Sequence, residues 1–236
     1  MKCCIIGLGV FGKNLAINLA QLGAEVLAID RREENVSLVK DEVGAAIVMD
    51  FEDPSPLGRL AIPDMDAVVI AIGDDFESSM AMTVKVQELG ARRIVCRVLS
   101  PMHARLLRLM KVDRLVVPEE VAARGLAHSL LMRGVVDGFD MGSGHAIIEA
   151  AAPKALIGKN LLQTAALFKT HHVRLVTIKR KEPIAFSKLL LGSDTEVRRR
   201  TLGVVDLNEL FASDDVVVLF GSEKGLRLFL EENGSD

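Results

Sequence analysis

The sequence predicts an α/β protein: a doubly wound parallel sheet with a crossover helix, followed by a small α+β C-terminal domain. Three observations predict it. Strand-like and helix-like segments alternate through the first half of the 236 residues, as repeated βα units do. The strands are near-continuous apolar runs, the pattern of parallel strands covered on both faces. Between the first strand and the first helix stands Gly7-Leu8-Gly9-Val10-Phe11-Gly12, the glycine spacing of a mononucleotide-binding βαβ unit.

Residues 2–6 read as the first strand, and a helical pattern runs from 13 to about 22. Residues 25–29 form the second strand, which ends in Asp30, about 20 residues after the glycines, where a Rossmann-like unit places the acid that meets a ribose. In that frame Gly7 permits the tight turn, Gly9 lets a pyrophosphate approach the backbone, and Gly12 lets the helix pack on the strand. Residues 33–41 read as a helix and 46–49 as a strand ending at Asp50. Residues 54–60 read as a short helix with Asp53 as cap and Pro54 at its first position. A strand at 67–72 is closed by Gly73, a helix covers 76–89, and a strand covers 93–97. A helix capped by Ser100 spans 101–110, and a sixth strand, 114–117, ends at Pro118. Ligands of such sheets bind outside the carboxyl ends of the strands. Asp30, Asp50, Gly73, Arg97 and Glu119 all lie at or just after such ends, which argues for a single site.

Residues 119–133 read as one more helix, the crossover helix, with Ala122, Gly125, Leu126, Ser129 and Leu130 on roughly one side. Small residues there allow packing on its own sheet or on a second subunit. Residues 134–144 hold four glycines and read as a linker, so the expected domains are 1–134 and 135–236. Strands are expected at 145–149, 173–179 and 215–220, a turn at 155–158, and helices at 160–168 and 222–230.

Composition narrows the function. Half the residues are hydrophobic, enough for a real core. A net charge of −3 gives no support for non-specific nucleic-acid binding. Basic clusters at 31–32, 92–93, 179–181 and 198–200 are flanked by acids and read as solvated faces. Cys3, Cys4 and Cys96 fall in apolar strands and read as buried thiols of a reducing cytoplasm. No CxxC or HxxxH spacing suggests a metal, and His171-His172 would point to opposite faces of a strand. No run is long and apolar enough to span a bilayer, and the N-terminal run lacks a secretory pattern.

A dinucleotide fold with a second domain first suggests an NAD(H)-dependent oxidoreductase. The chain has no Tyr, which excludes the Tyr-x-x-x-Lys pair of short-chain reductases. His145, His171 and His172 are the candidate bases of the small domain, and none has an evident carboxylate partner in sequence. Gly142-Ser143-Gly144 lacks the spacing of a nucleophile elbow. The residues therefore favour a protein that binds a nucleotide without consuming it.

The strand–GLGVFG–helix, the Val26–Asp30 run VLAID, Ala71-Ile72-Gly73 and Val117-Pro118-Glu119 together resemble the RCK, or TrkA/KtrA, regulatory subunits of potassium transport. The small domain resembles the family's C-terminal domain in Gly144-His145-Ala146-Ile147-Ile148-Glu149, Leu156-Ile157-Gly158-Lys159-Asn160-Leu161, Val176-Thr177-Ile178-Lys179-Arg180 and the run from Asp214 to Gly221. The resemblance implies a non-catalytic cytosolic subunit, peripheral to the membrane through its partner. It implies dimers that build an octameric ring beneath a TrkH/KtrB-like potassium transporter, with exposed apolar residues of the 76–89 helix (Met80, Met82, Val86) as ring contacts, unless they pack on the sheet as ordinary core. It also implies an N-terminal domain that binds ATP, ADP or a nicotinamide nucleotide. An RCK sensor of a different cation transporter is the alternative.

By position, the resemblance puts Asp30 on the ribose hydroxyls and Gly7, Gly9, Val10, Phe11 and Gly12 around the phosphates. Asp50 and Phe51 would border the adenine, Ala71, Ile72 and Gly73 would line the crevice, and Arg97 would supply positive charge. Glu119 matches an acid that pairs with a basic residue or a cation near the phosphates. One departure stands out. Members that discriminate ATP from ADP read G-L-G-R-F-G, and Val10 replaces that Arg. Arg31 could meet a 2′-phosphate, but Asp30 would repel it, so NAD(H) or another adenine nucleotide is expected over NADP. Some relatives bind cyclic di-AMP in the small domain, partly through a proline near the last strands. This chain has no Pro between Ser187 and Asp236, and a basic stretch surrounds Arg198, so cyclic di-AMP gains no support.

Overall fold

The computed structural model describes residues 1–53, 55–132, 134–182 and 199–234. They form two compact units, Met1–Pro118 and Glu119–Asp236. Pro54, Arg133 and Arg198, which the sequence reading placed in a helix start, a helix end and a basic stretch, lie outside the described residues.

The first unit is a six-stranded, all-parallel sheet. Its strands are β1 (Lys2–Ile6), β2 (Glu25–Asp30), β3 (Ala45–Val48), β4 (Ala67–Ile70), β5 (Ile94–Arg97) and β6 (Arg114–Val116). The spatial order is β3-β2-β1-β4-β5-β6, so strand order reverses beside β1. Ile6 pairs with Ile29 on one side and with Ile70 on the other. The carboxyl ends of β1, β2 and β4 are therefore level, and the segments that follow them open on one crevice.

Successive side chains of each strand feed two cores. Cys4, Ile6, Ile29, Ile70 and Cys96 join Met82, Val86 and Leu107 on one face. Ile5, Val26, Ala28 and Val69 join Leu8, Ala16 and Val39 on the other. The helices that cover these faces are α1 (Val10–Gln21), α2 (Glu33–Ser37), α3 (Phe76–Glu88) and α4 (Pro101–Leu109). Asp75 caps α3 through Ser78 N at 2.9 Å, and Ser100 caps α4 through His103 N at 3.1 Å. The three cysteines are free and buried. Burial pushes the Cys4 thiol up to about 12 and the Cys96 thiol up to about 11.

Several expectations need correction here. Helix α1 starts at Val10, inside the glycine motif, because Gly9 serves as its cap. Helix α2 stops at Ser37 and is followed by turns. The helix expected over 54–60 is a 3-10 segment, Ser55–Arg59. On α3, Met82 and Val86 are fully buried against the sheet, and Met80 packs against the same core. Met82 and Val86 are thus core residues and cannot serve as exposed ring contacts.

The second unit contains α5 (Pro118–Leu131), β7 (Val135–Gly142), β8 (His145–Ala151), α6 (Leu161–Thr170), β9 (Arg174–Lys181), β10 (Arg199–Thr201), β11 (Val216–Ser222) and α7 (Glu223–Asn233). Its sheet, ordered β10-β9-β11-β8-β7, is antiparallel throughout. The glycine-rich run expected as a linker is strand β7 and the turn after it. Gly142, at φ 79°, takes the left-handed conformation that the tight β7–β8 turn requires. Register shifts between Val135 and Asp137 and between Asp140 and Gly142 are the bulges that edge strands carry.

The core of this unit is Ile148, Ile178, Val217, Leu219 and a group of phenylalanines, with Phe168 and Phe229 stacked at 5.2 Å. The buried Asp215 accepts two hydrogen bonds of 2.8 Å from Arg180, which also meets Glu209 at 2.5 Å. Helix α5 lies close on β7: a side chain at Gly125 would bring Cβ to 2.8 Å from the Gly138 carbonyl oxygen. Among the described residues, no helix is long and apolar enough to cross a membrane.

Candidate functional site

The crevice of the first unit sits where the sheet topology predicts it. It has a volume of about 310 Å³ and is lined by Gly7, Gly9, Val10, Asp30, Arg31, Arg32, Phe51, Ala71, Ile72, Gly73, Asp74 and Arg97. That is within the usual range for small-molecule sites.

The glycine loop builds one wall. Gly7 has φ 95°, and a Cβ there would stand 2.8 Å from the Ile72 amide nitrogen. Any side chain would collide with the loop after β4. A Cβ on Gly12 would fall on the Gly7 carbonyl oxygen, so this residue holds α1 against the turn. Around Gly9 the Cβ space is empty for 4 Å, so no protein atom fills the place where a ligand would meet the backbone. No side chain caps α1, which leaves its first-turn N–H groups for an anion. Val10 is 81% exposed and offers no charge.

Asp30 is only 3% exposed. Its Oδ2 accepts from Leu8 N at 2.6 Å, and its Oδ1 accepts from Arg32 N at 2.8 Å and Asn35 Nδ2 at 3.1 Å. A carboxylate offers about four acceptor positions. The protein fills three, which leaves about one, on Oδ2, for an incoming hydroxyl.

Arg31 reaches to the segment after β4, with Asp74 at 3.7 Å and Asp75 at 3.4 Å. Hydrogen bonds from Ser78, more than the Arg31 charge, hold the Asp75 carboxyl below its ordinary range. Arg97 comes from the end of β5 and lays its guanidinium against Gly73, where a Cβ would collide with it. Gly73 is therefore the space that lets Arg97 line the crevice.

Of the residues expected at the site, the structure gathers Gly7, Gly9, Val10, Asp30, Arg31, Phe51, Ala71, Ile72, Gly73 and Arg97 around the crevice. Gly12 and Phe11 pack behind the loop. Asp50 is exposed, and its Oδ1 accepts from Glu52 N at 3.0 Å. Glu119 is the second residue of α5 and the first of the second unit. Arg32 and Asp74 line the crevice and escaped the sequence reading. Each adjoins a predicted residue, which is the only signal the sequence held for them.

His145 and His171 of the second unit have local partners. His145 stacks on Phe220 at 5.9 Å. His171 does have a carboxylate partner, Glu232, at 2.9 Å, and its Nδ1 meets the Leu167 carbonyl at 2.9 Å. That bond chiefly, with Glu232 adding to it, raises the His171 pKa. Among the described residues, no group of three or more His, Cys, Asp or Glu gathers as a metal site would.

Comparison with known proteins places these features in context. The TrkA-N domain model matches residues 3–118, the first unit. Ktr system potassium uptake protein C of Bacillus subtilis is 29% identical over 207 residues, covering 83% of this chain and 93% of the relative. Ktr system potassium uptake protein A of Vibrio alginolyticus is 31% identical over 176 residues, covering 75% of this chain and 80% of the relative. Among solved structures, the GsuK channel bound to NAD has the same fold over 99% of this chain, with a TM-score of 0.60 and 13% identity; this chain spans 39% of that one. With its glycine loop, its Asp30 and a relative 31% identical that it covers to 80%, the chain belongs to the family of Ktr system potassium uptake proteins and carries a TrkA-N domain.

Proposed function

We propose that this chain is a nucleotide-sensing regulatory subunit of a membrane potassium-uptake system, and that the crevice of the first unit holds an adenine nucleotide. The observation that carries the reading is the convergence of the glycine loop, the uncapped start of α1, Asp30 and Arg97 on one crevice. The bound nucleotide supplies negative phosphates and ribose hydroxyls. The first-turn amides of α1 and the Arg97 guanidinium answer the phosphates. The remaining acceptor position of Asp30 takes one ribose hydroxyl.

Val10 and Arg31 shape the choice of ligand. With valine at the first helical position, no cation stands there for a terminal phosphate. Arg31 is engaged by Asp74 and Asp75, so a 2′-phosphate would meet Asp30 with only Arg32, itself 3.9 Å from that carboxylate, as counter-charge. NAD(H), or an adenine nucleotide bound mainly through its inner phosphates, fits better than NADP.

The nucleotide acts as a signal and is not consumed. It shifts the subunit between shapes only by the difference of its affinities for them. A dimer that builds an octameric ring, held at the inner membrane face by a transporter partner, is the assembly this reading calls for. The exposed apolar side chains of α5, among them Val121, Leu126 and Leu130, suit a contact between copies.

Calorimetric titration with ATP, ADP, NAD and NADH tests the site. At least one ligand is expected to bind, and Asp30→Ala is expected to weaken it by tenfold or more while circular dichroism stays unchanged. Silence from all four ligands would overturn the reading.

A further inference from the structure

The first unit carries a second charged surface, at the amino ends of β5 and β6, opposite the crevice. Arg92 and Arg93 precede β5, Arg114 opens β6, and Arg108 and Lys111 sit at the end of α4 and in the turn after it. Backbone contacts hold these segments in one corner. Arg114 pairs with Val95, Ile94 N donates to Asp113 Oδ2 at 2.7 Å, and Lys111 N donates to the Arg108 carbonyl at 3.0 Å. Gln87 Nε2 joins the end of α3 to the Met110 carbonyl at 2.7 Å.

All five basic side chains are exposed. Among the described residues, none of them enters an ion pair or a side-chain hydrogen bond. The nearby acids cancel only part of this charge: Glu88 is taken by Lys85 at 3.3 Å, Asp113 lies inside the corner, and Asp66 stands beside it at the amino end of β4, where Val68 N donates to the Arg93 carbonyl. Five cations against Asp113 and Asp66 still leave a surplus of three positive charges, in a chain whose net charge is −3. Leu109 stands among them, 73% exposed, with Met102 (61%) and Arg105 along the same helix.

We propose that this corner docks on an anionic lipid surface. A discrete anion would want converging donors in a concavity, and the cavity of this unit lies at the other ends of the strands. A single-stranded nucleic acid would want aromatic rings to stack on, and no aromatic residue occurs from 92 to 114 other than the buried His103. Unpaired long cations around an exposed leucine match a lipid interface, where apolar groups enter and the charged heads meet phosphates. Each Arg or Lys close to an anionic leaflet contributes about fivefold in partitioning, and salt screens it. The proposal goes beyond the nucleotide reading and does not rest on it.

Co-sedimentation with vesicles tests it. The full chain is mixed with phosphatidylglycerol–phosphatidylcholine vesicles and, separately, with pure phosphatidylcholine vesicles. Binding to the first alone is expected, and high salt is expected to remove it. The triple variant Arg92→Glu, Arg93→Glu, Arg108→Glu is expected to lose tenfold or more. A control with the same charge change, Lys154→Glu, Arg174→Glu, Arg200→Glu, is expected to lose much less. Sedimentation velocity reports the oligomeric state of each. Three results overturn the proposal: a wild-type chain that ignores anionic vesicles at low salt, equal losses in the two triples, or a corner triple whose lost binding follows from a changed oligomeric state, which would assign the face to a second copy.

Discussion

Gly73 and Gly12 look alike in sequence but face different neighbours. A Cβ on Gly73 would meet the tip of the Arg97 side chain, which can swing away, whereas one on Gly12 would meet the Gly7 carbonyl oxygen, which cannot. Gly73→Ala is therefore expected to weaken nucleotide binding by roughly tenfold, given the worth of a charge-assisted bond, with the melting temperature nearly unchanged. Gly12→Ala is expected to destabilise the first unit by about 3 kcal/mol, the range of overpacking, as a denaturant titration would show. Two histidines give the units opposite pH responses. Burial lowers the pKa of His103 from 6.5, so the unfolded chain binds the proton better and the first unit loses stability as pH falls below about 6.5. His171 is raised, so its contribution is present below about 6.5 and fades as pH rises through its higher folded value. Hydrogen exchange followed between about pH 5.5 and 8, with His103→Gln and His171→Gln as controls, should show the slopes flatten one unit at a time. At this scale the site was largely legible. The glycines and Asp30 announce themselves by spacing, while Arg32, Asp74 and the pairing of Arg31 depend on how two chain-distant segments meet.

Among the elements, the parallel strands were the most legible, because burial on both faces leaves unbroken apolar runs. Strand β7 was not. Four glycines and exposed Val136, Phe139 and Met141 look like a linker, and only pairing with β8 shows an edge strand bent by bulges. Strand β10 is three exposed residues with no apolar pattern to announce it. On α3 the apolar residues were visible but their direction was not, so Met82 and Val86 were read as exposed when they face the sheet. Helix starts were clearer. Asn160 and Gln163 form a reciprocal capping box at the start of α6, with bonds of 3.0 and 2.9 Å. Asn160→Ala should cost about 1 kcal/mol, read as a lower midpoint in urea with unchanged slope. Gly125→Val tests the seat of α5 on β7: the added side chain would displace the helix from the Gly138 carbonyl, and exchange protection along β7 should fall.

For the molecule as a whole, two compact units imply two unfolding events, and a ligand of the crevice acts directly on one. At a hundredfold excess over its dissociation constant, a nucleotide should stabilise the first unit by about 2.7 kcal/mol. In calorimetry that appears as one transition moving upward and the other staying in place. The thiols allow the same event to be timed. All three cysteines belong to the first unit, all are buried, and burial holds Cys4 and Cys96 far from the thiolate form. A thiol reagent is therefore blind to the native protein and to any opening of the second unit. Its labelling rate counts how often the parallel sheet exposes its centre, a built-in clock that needs no engineered probe and that a bound nucleotide should slow.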